Sequence, residues 1–122
     1  MADDDRLQRG LDMMKRLWGV GLDPAGFQQG FPRITAEHLF GDVWTRPGLE
    51  VRERSLITVA ALTVLGRENE LRAHLQGALN QGISREAITE IMIHLAHYGG
   101  WPLSTNLYSA MLKATTPPPA ER

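Results

Sequence analysis

From Arg52 to Gly66 the chain carries apolar side chains on nearly every side of a helix: Leu56, Ile57, Val59, Ala60, Ala61, Leu62, Val64 and Leu65. A helix with no wet face must be covered all round, so it belongs in the middle of a bundle or in an interface between subunits. The run from Leu56 to Leu65 is too short to cross a bilayer, and Thr58 and Thr63 interrupt it. Nowhere does the alternation of a half-buried strand occur.

Helical spacing recurs on either side of this segment. Leu7, Leu11, Met14 and Trp18 form an i, i+4, i+7, i+11 stripe behind Asp3, Asp4 and Asp5, whose carboxylates suit a helix N-terminus. Gly19 and Gly21 stop that helix, and Asp23-Pro24 opens a loop. A short helix is expected after Thr35 as N-cap, carrying Leu39, Phe40, Val43 and Trp44, with Thr45-Arg46-Pro47-Gly48 as its breaker. A helix from about Glu68 to Gln81 presents Leu71, Leu75, Ala78 and Leu79 on one face, and Gly82 takes the left-handed position after it. Ser84 caps the next helix, about 85 to 98, which buries Ile88, Ile91, Met92 and Leu95 and ends at Gly99-Gly100. Pro102 fits the first turn of a last helix reaching about Ala114. The expectation is an all-α, single-domain bundle of about six helices over residues 1–114, followed by a disordered Pro-rich tail over 115–122.

The chain has 122 residues, no cysteine, and 13 Lys and Arg against 14 Asp and Glu. Thiolate metal sites, disulfides and dithiol redox chemistry are therefore excluded. A net charge of −1 with scattered basic residues gives no footprint for nucleic acid or an anionic membrane. The acidic start Met1-Ala2-Asp3-Asp4-Asp5 is unlike a signal peptide, so a cytoplasmic protein is expected.

Four histidines offer catalytic chemistry. Glu70 and His74 lie four apart and share a helix face. A carboxylate beside an imidazole orients it and raises its pKa, as a proton-transfer residue near neutral pH requires; the plain alternative is a solvated pair worth a few tenths of a kcal/mol. Glu90, His94 and His97 share the next helix, but three ligands from one helix make an awkward metal site, so pocket or interface histidines are the stronger reading and no metal is expected. The stretch His97-Tyr98-Gly99-Gly100-Trp101-Pro102 combines close backbone approach with ring surface. It reads either as a pocket wall or as an aromatic-packed corner between two helices. Walker-type phosphate loops, nucleophile elbows and zinc-protease motifs are absent.

The segments Gly41-Asp42-Val43-Trp44-Thr45-Arg46-Pro47-Gly48-Leu49 and Arg54-Ser55-Leu56-Ile57-Thr58 resemble the carboxymuconolactone decarboxylase family, within the alkylhydroperoxidase D-like superfold. So do Glu70-Leu71-x-x-His74, Asn80-x-Gly82-x-Ser84 with Glu86 and Glu90-Ile91, and Tyr98-x-Gly100-x-Pro102, in the right order over about residues 6 to 112. Redox members of the superfold carry Cys-x-x-Cys with a histidine four residues further on. The corresponding positions here are Arg67 and Glu70 ahead of His74, so an acid–base pair stands where a dithiol would be.

The resemblance implies cofactor-free decarboxylation of a small unsaturated lactone bearing two carboxylates, within aromatic-acid breakdown. On that basis His74 is expected to donate the proton and Glu70 to orient it. Arg67, or Arg46 and Arg54, would pair with substrate carboxylates, each having a surface or capping role as the plain alternative. Trp44, His97, Tyr98 and Trp101 would line the pocket. The histidines at 94 and 97 and the Gly-Trp-Pro ending depart from the typical pattern. They leave room for another acid–base reaction on a related lactone or keto acid, or for a non-catalytic oligomer that binds a small anion. The resemblance also implies a homo-oligomer, a hexamer built as a trimer of dimers, which agrees with the all-apolar helix.

Overall fold

A computed structural model describes residues 3–19 and 22–115. Gly21 and the Pro-rich segment beyond Thr115 lie outside the described residues. The described residues form helices and connecting turns, without strands. The chain divides into two compact units, one up to Val51 and one from Arg52 onward. No helix among the described residues is long and apolar enough to cross a membrane.

In the first unit, α1 spans Asp3–Trp18 with Lys15 and Arg16 in its last turn, where cations complement the helix dipole. The expected stripe is buried at Leu7 and Met14, and Met13 and Leu17 join it. Asp23 accepts a hydrogen bond from the Ala25 amide at 3.0 Å and opens a single 3₁₀ turn, Pro24–Phe27. Helix α2, Gly30–Ile34, then runs without a break into a π-helical segment, Thr35–Val43.

This corrects the expected start at Thr35. The residue has helical dihedrals, and its hydroxyl donates back to the Phe31 carbonyl at 3.0 Å, so it sits inside the helix and cannot cap it. The wider turn also changes which residues face inward. In a ladder closed by i→i+5 bonds, such as Trp44 N–H to Leu39 C=O at 2.9 Å, residues four to five apart share a face. Ala36, Phe40, Gly41 and Trp44 are accordingly buried, while Leu39 turns outward.

Two glycines make the packing of α1 against the π segment possible. A Cβ on Gly10 would stand 1.8 Å from the Ala36 carbonyl oxygen, and one on Gly41 2.6 Å from that of Arg6. Asp42 closes the same contact, accepting from Arg6 Nη2 at 2.7 Å and Arg9 Nη2 at 3.2 Å. The hydrogen bonds from Arg6 hold its carboxyl below the usual range.

The second unit contains most of α3 (Val51–Leu65), then α4 (Glu68–Asn80), α5 (Arg85–Ala96) and α6 (Trp101–Lys113). Both α4 and α5 pack against α6. The core unites Val59 of α3, Leu71, Leu75 and Leu79 of α4, Ile88 of α5, and Leu107 of α6. Gly82 has φ +87° after α4, and Ser84 caps α5 by accepting from the Ala87 amide at 3.0 Å, both as the sequence indicates. Across the core, Ser104 donates to the Met92 carbonyl at 2.9 Å. Arg85 donates to the last carbonyls of α6, Met111 and Ala114, at 2.7 and 2.8 Å. The apolar helix α3 is not enclosed on every side: Val59 is fully buried, but Ile57 is 55% and Leu65 67% exposed.

Candidate active site

The first half of α4 holds three of the residues that the sequence singles out. Arg67 stands at its N-cap, Glu70 in its first turn and His74 one turn later. At 100° per residue these three positions fall within about a sixth of the helix circumference. Arg67 and Glu70 are exposed and His74 is half-buried. Leu71 and Leu75 on the adjoining face anchor this side of the helix in the core.

Burial lowers the pKa of His74 below its ordinary value, and the Glu70 carboxylate pulls it back up by the smaller amount. The sequence suggests only the second influence. The structure adds that the resting imidazole is held toward its neutral form.

The other expected site residues are distributed as follows. Trp44 belongs to the core of the first unit, its ring 5.8 Å from that of Phe40. Arg46 is exposed in the turn after the π segment, and its amide donates to the Val43 carbonyl at 3.1 Å. Arg54 lies half-buried in the second turn of α3, with Nε fully enclosed. His97, Tyr98 and Trp101 are all exposed at the α5–α6 corner. There His97 Nδ1 lies 2.8 Å from the Ile93 carbonyl oxygen, and its ring meets that of Trp101 edge-on at 6.2 Å. His94 pairs with Tyr98, ring centres 5.0 Å apart. Among the described residues no three His, Asp or Glu side chains converge as a metal site would need.

The cleft beside Trp101 is walled by α5 and α6 alone, with no residue of α4. The structure thus places Arg67, Glu70 and His74 along the start of one helix and sets the corner aromatics on other elements. A second groove, between α4 and α6, holds Glu68, Arg72, Asn106, Ser109 and Lys113. Nothing in the sequence pairs Arg72 with Lys113, because no spacing connects residues on separate helices.

A bundle of helices without cysteine, bearing a carboxylate and a half-buried imidazole one turn apart, defines a class suited to proton transfer and not to dithiol chemistry. The model of the carboxymuconolactone decarboxylase family matches residues 29–113, and the chain belongs to that family. It is 36% identical over 110 residues to 4-carboxymuconolactone decarboxylase of Acinetobacter baylyi, covering 85% of this chain and 82% of that one. It is 38% identical over 69 residues to nitrosuccinic acid decarboxylase of Metarhizium robertsii, 57% of this chain and 48% of that protein. An uncharacterized 15.0 kDa protein of Paracoccus denitrificans is 33% identical over 86 residues. At the level of the family, these relatives support a carboxy-lyase.

Proposed function

We propose that the chain decarboxylates a small carboxylated unsaturated lactone of the 4-carboxymuconolactone type to an enol-lactone, without a cofactor, in aromatic-acid catabolism. The observation that carries this reading is the Glu70–His74 pair on α4, in a chain so similar along most of its length to a named decarboxylase of that lactone.

The chemistry asks little of the protein beyond binding and proton transfer. As CO₂ leaves the ring carbon, the pair of electrons from the broken C–C bond passes through the double bond to the lactone carbonyl, giving a dienolate. The substrate is its own electron sink. The protein must hold two carboxylates, favour the developing oxyanion and deliver one proton to carbon. Arg67, exposed at the head of α4, is the anchor for a carboxylate, with Arg54 as a further cation. His74 is the proton donor and Glu70 its electrostatic support. A dianion bound beside a half-buried imidazole acts in the same direction as Glu70, so substrate binding itself raises the His74 pKa and charges the donor when it is needed.

The similarity to nitrosuccinic acid decarboxylase favours a second reading, removal of CO₂ from a nitro acid. A nitro group accepts the electron pair as a lactone carbonyl does, and nitrosuccinate is also a dicarboxylate, so the same three side chains serve. Incubation with each acid separates the two. Loss of the conjugated lactone absorbance with CO₂ release supports the first; turnover of nitrosuccinate alone supports the second. Turnover of neither at millimolar concentration overturns both.

A further inference from the structure

The groove between α4 and α6 gathers charged side chains that the proposed reaction leaves unused. Glu68 and Arg72 of α4 form one wall, Asn106, Ser109 and Lys113 of α6 the other, and the buried Ala110 lies between them. Around the circumference of α4, Leu71 and Leu75 separate Glu68 and Arg72 from Arg67, Glu70 and His74. The groove and the His74 face therefore open on different sides of the helix.

The two walls are fixed to one another. Gln76 donates to the Thr115 carbonyl at 2.6 Å and accepts from the Thr115 amide at 2.8 Å, which ties the end of α6 to α4. Leu75 and Leu107 share the core beneath. The polar groups, in contrast, are not spent on the fold. Glu68 and Arg72 stand four apart in the order that favours an ion pair, yet Arg72 donates to Asn69 Oδ1 instead. Among the described residues Glu68 and Lys113 form no ion pair, and the Asn106 and Ser109 side chains form no hydrogen bond.

The groove thus offers two cations and one carboxylate, with an amide and a hydroxyl beside them. A plain dianion would meet Glu68 with like charge, and a plain cation would meet Arg72 and Lys113. The complement is a molecule with two carboxylates and one ammonium. We propose that the groove binds an α-amino dicarboxylic acid of the aspartate or glutamate kind. Its ammonium pairs with Glu68, its carboxylates with Arg72 and Lys113, and Asn106 and Ser109 add neutral hydrogen bonds. The volume of about 160 Å³ suits one amino acid and lies well below the ~300–1,000 Å³ of sites for larger ligands. The proposal holds whichever acid is decarboxylated.

Titration calorimetry of the full chain at low salt tests this without any turnover. Aspartate or glutamate should bind at millimolar concentration or below, and more weakly as salt is raised. Succinate, which lacks the ammonium, and alanine, which lacks the second carboxylate, should each bind about tenfold more weakly. Glu68→Gln should bring the amino acid and succinate to equal affinity. Arg72→Ala and Lys113→Ala should each weaken the amino acid by about tenfold. Arg67→Ala, on the other side of α4, should leave its binding as it was. All four side chains are exposed, so circular dichroism should show these variants folded. Three outcomes overturn the proposal: no binding of either amino acid at millimolar concentration, succinate bound as tightly as both, or binding lost in Arg67→Ala. The ligand series on the unaltered chain decides the first two with no variant at all.

Discussion

Glu70 stands one helical turn before His74, and its carboxylate opposes the burial of that imidazole: burial, the larger influence, lowers the pKa, and Glu70 raises it. Burial thus holds His74 toward its neutral form, and on the proposed mechanism a bound dianion would tip it toward the charged donor. The two kinetic constants should report these two states separately. The alkaline fall of kcat/KM reflects free His74, that of kcat reflects His74 in the complex, and the second should lie at higher pH. Coincident limbs would remove the substrate-induced charging of His74.

Replacing His74 by Ala should lower kcat by about 10²–10⁴-fold, the range of a positioned proton-transfer group. Glu70→Gln, which keeps the shape and removes the charge, should lower kcat less and shift its alkaline limb to lower pH. Circular dichroism should show both variants folded, because Glu70 is exposed and His74 only half-buried. Wild-type rates in the His74 variant would exclude it from the reaction.

The same burial has a signature in stability. His74 titrates below its ordinary 6.5 in the folded chain, so the unfolded chain binds the proton more tightly. Stability should then be fully present above about pH 6.5 and be lost as pH falls through that value to the folded pKa, below which the loss levels off. Urea unfolding between pH 8 and pH 5 should show this step in the wild type and a smaller one in His74→Gln. A step of equal size in both would assign it to other groups.

Helix ends are legible in this sequence where the signal is local. Gly82, Ser84 and Pro102 mark the ends of α4, α5 and α6 because each acts through local backbone chemistry. The Glu70–His74 spacing is local as well. What the sequence hides is non-local. The π segment departs from the 3.6-residue period that a helical pattern assumes, so that period puts Leu39 inside, where it does not lie, and Thr35, a cap by residue type alone, sits within a helix already running from Gly30. The family motif points Trp44 toward substrate, and its ring lies against that of Phe40, a neighbour four residues earlier that ordinary helical spacing already supplies. The direction of the His74 shift is hidden too, since burial depends on what surrounds a helix and not on its own spacing.

The approach of Gly10 to Ala36 makes the first unit sensitive to a single methyl group. A Cβ 1.8 Å from a backbone oxygen cannot be absorbed by turning a side chain, so α1 and the π segment must separate. Gly10→Ala should destabilise the protein by about 1–3 kcal/mol or more, despite the better helix propensity of alanine. Gly26→Ala, where nothing lies within 4 Å, is the matched control and should change stability little. Equal effects at both positions would mean that the close packing of α1 is not a source of stability.

Arg67 heads the helix that carries Glu70 and His74, and it should act through binding before it acts on the rate of chemistry. A guanidinium grips a carboxylate with two parallel hydrogen bonds, which an ammonium cannot reproduce. Arg67→Ala should therefore raise KM by about 10- to 100-fold, the worth of a charge-assisted pair of roughly 1.5–3 kcal/mol, and change kcat less. Arg67→Lys should recover part of the loss at low salt and little of it at high salt, because a point charge on an exposed side chain is screened. A monoacid analogue lacking the anchored carboxylate should bind wild type and Arg67→Ala alike. If Arg67→Ala leaves KM unchanged while Arg54→Ala raises it, the anchoring cation lies on α3, and the exposed arginine at the head of α4 serves only that helix.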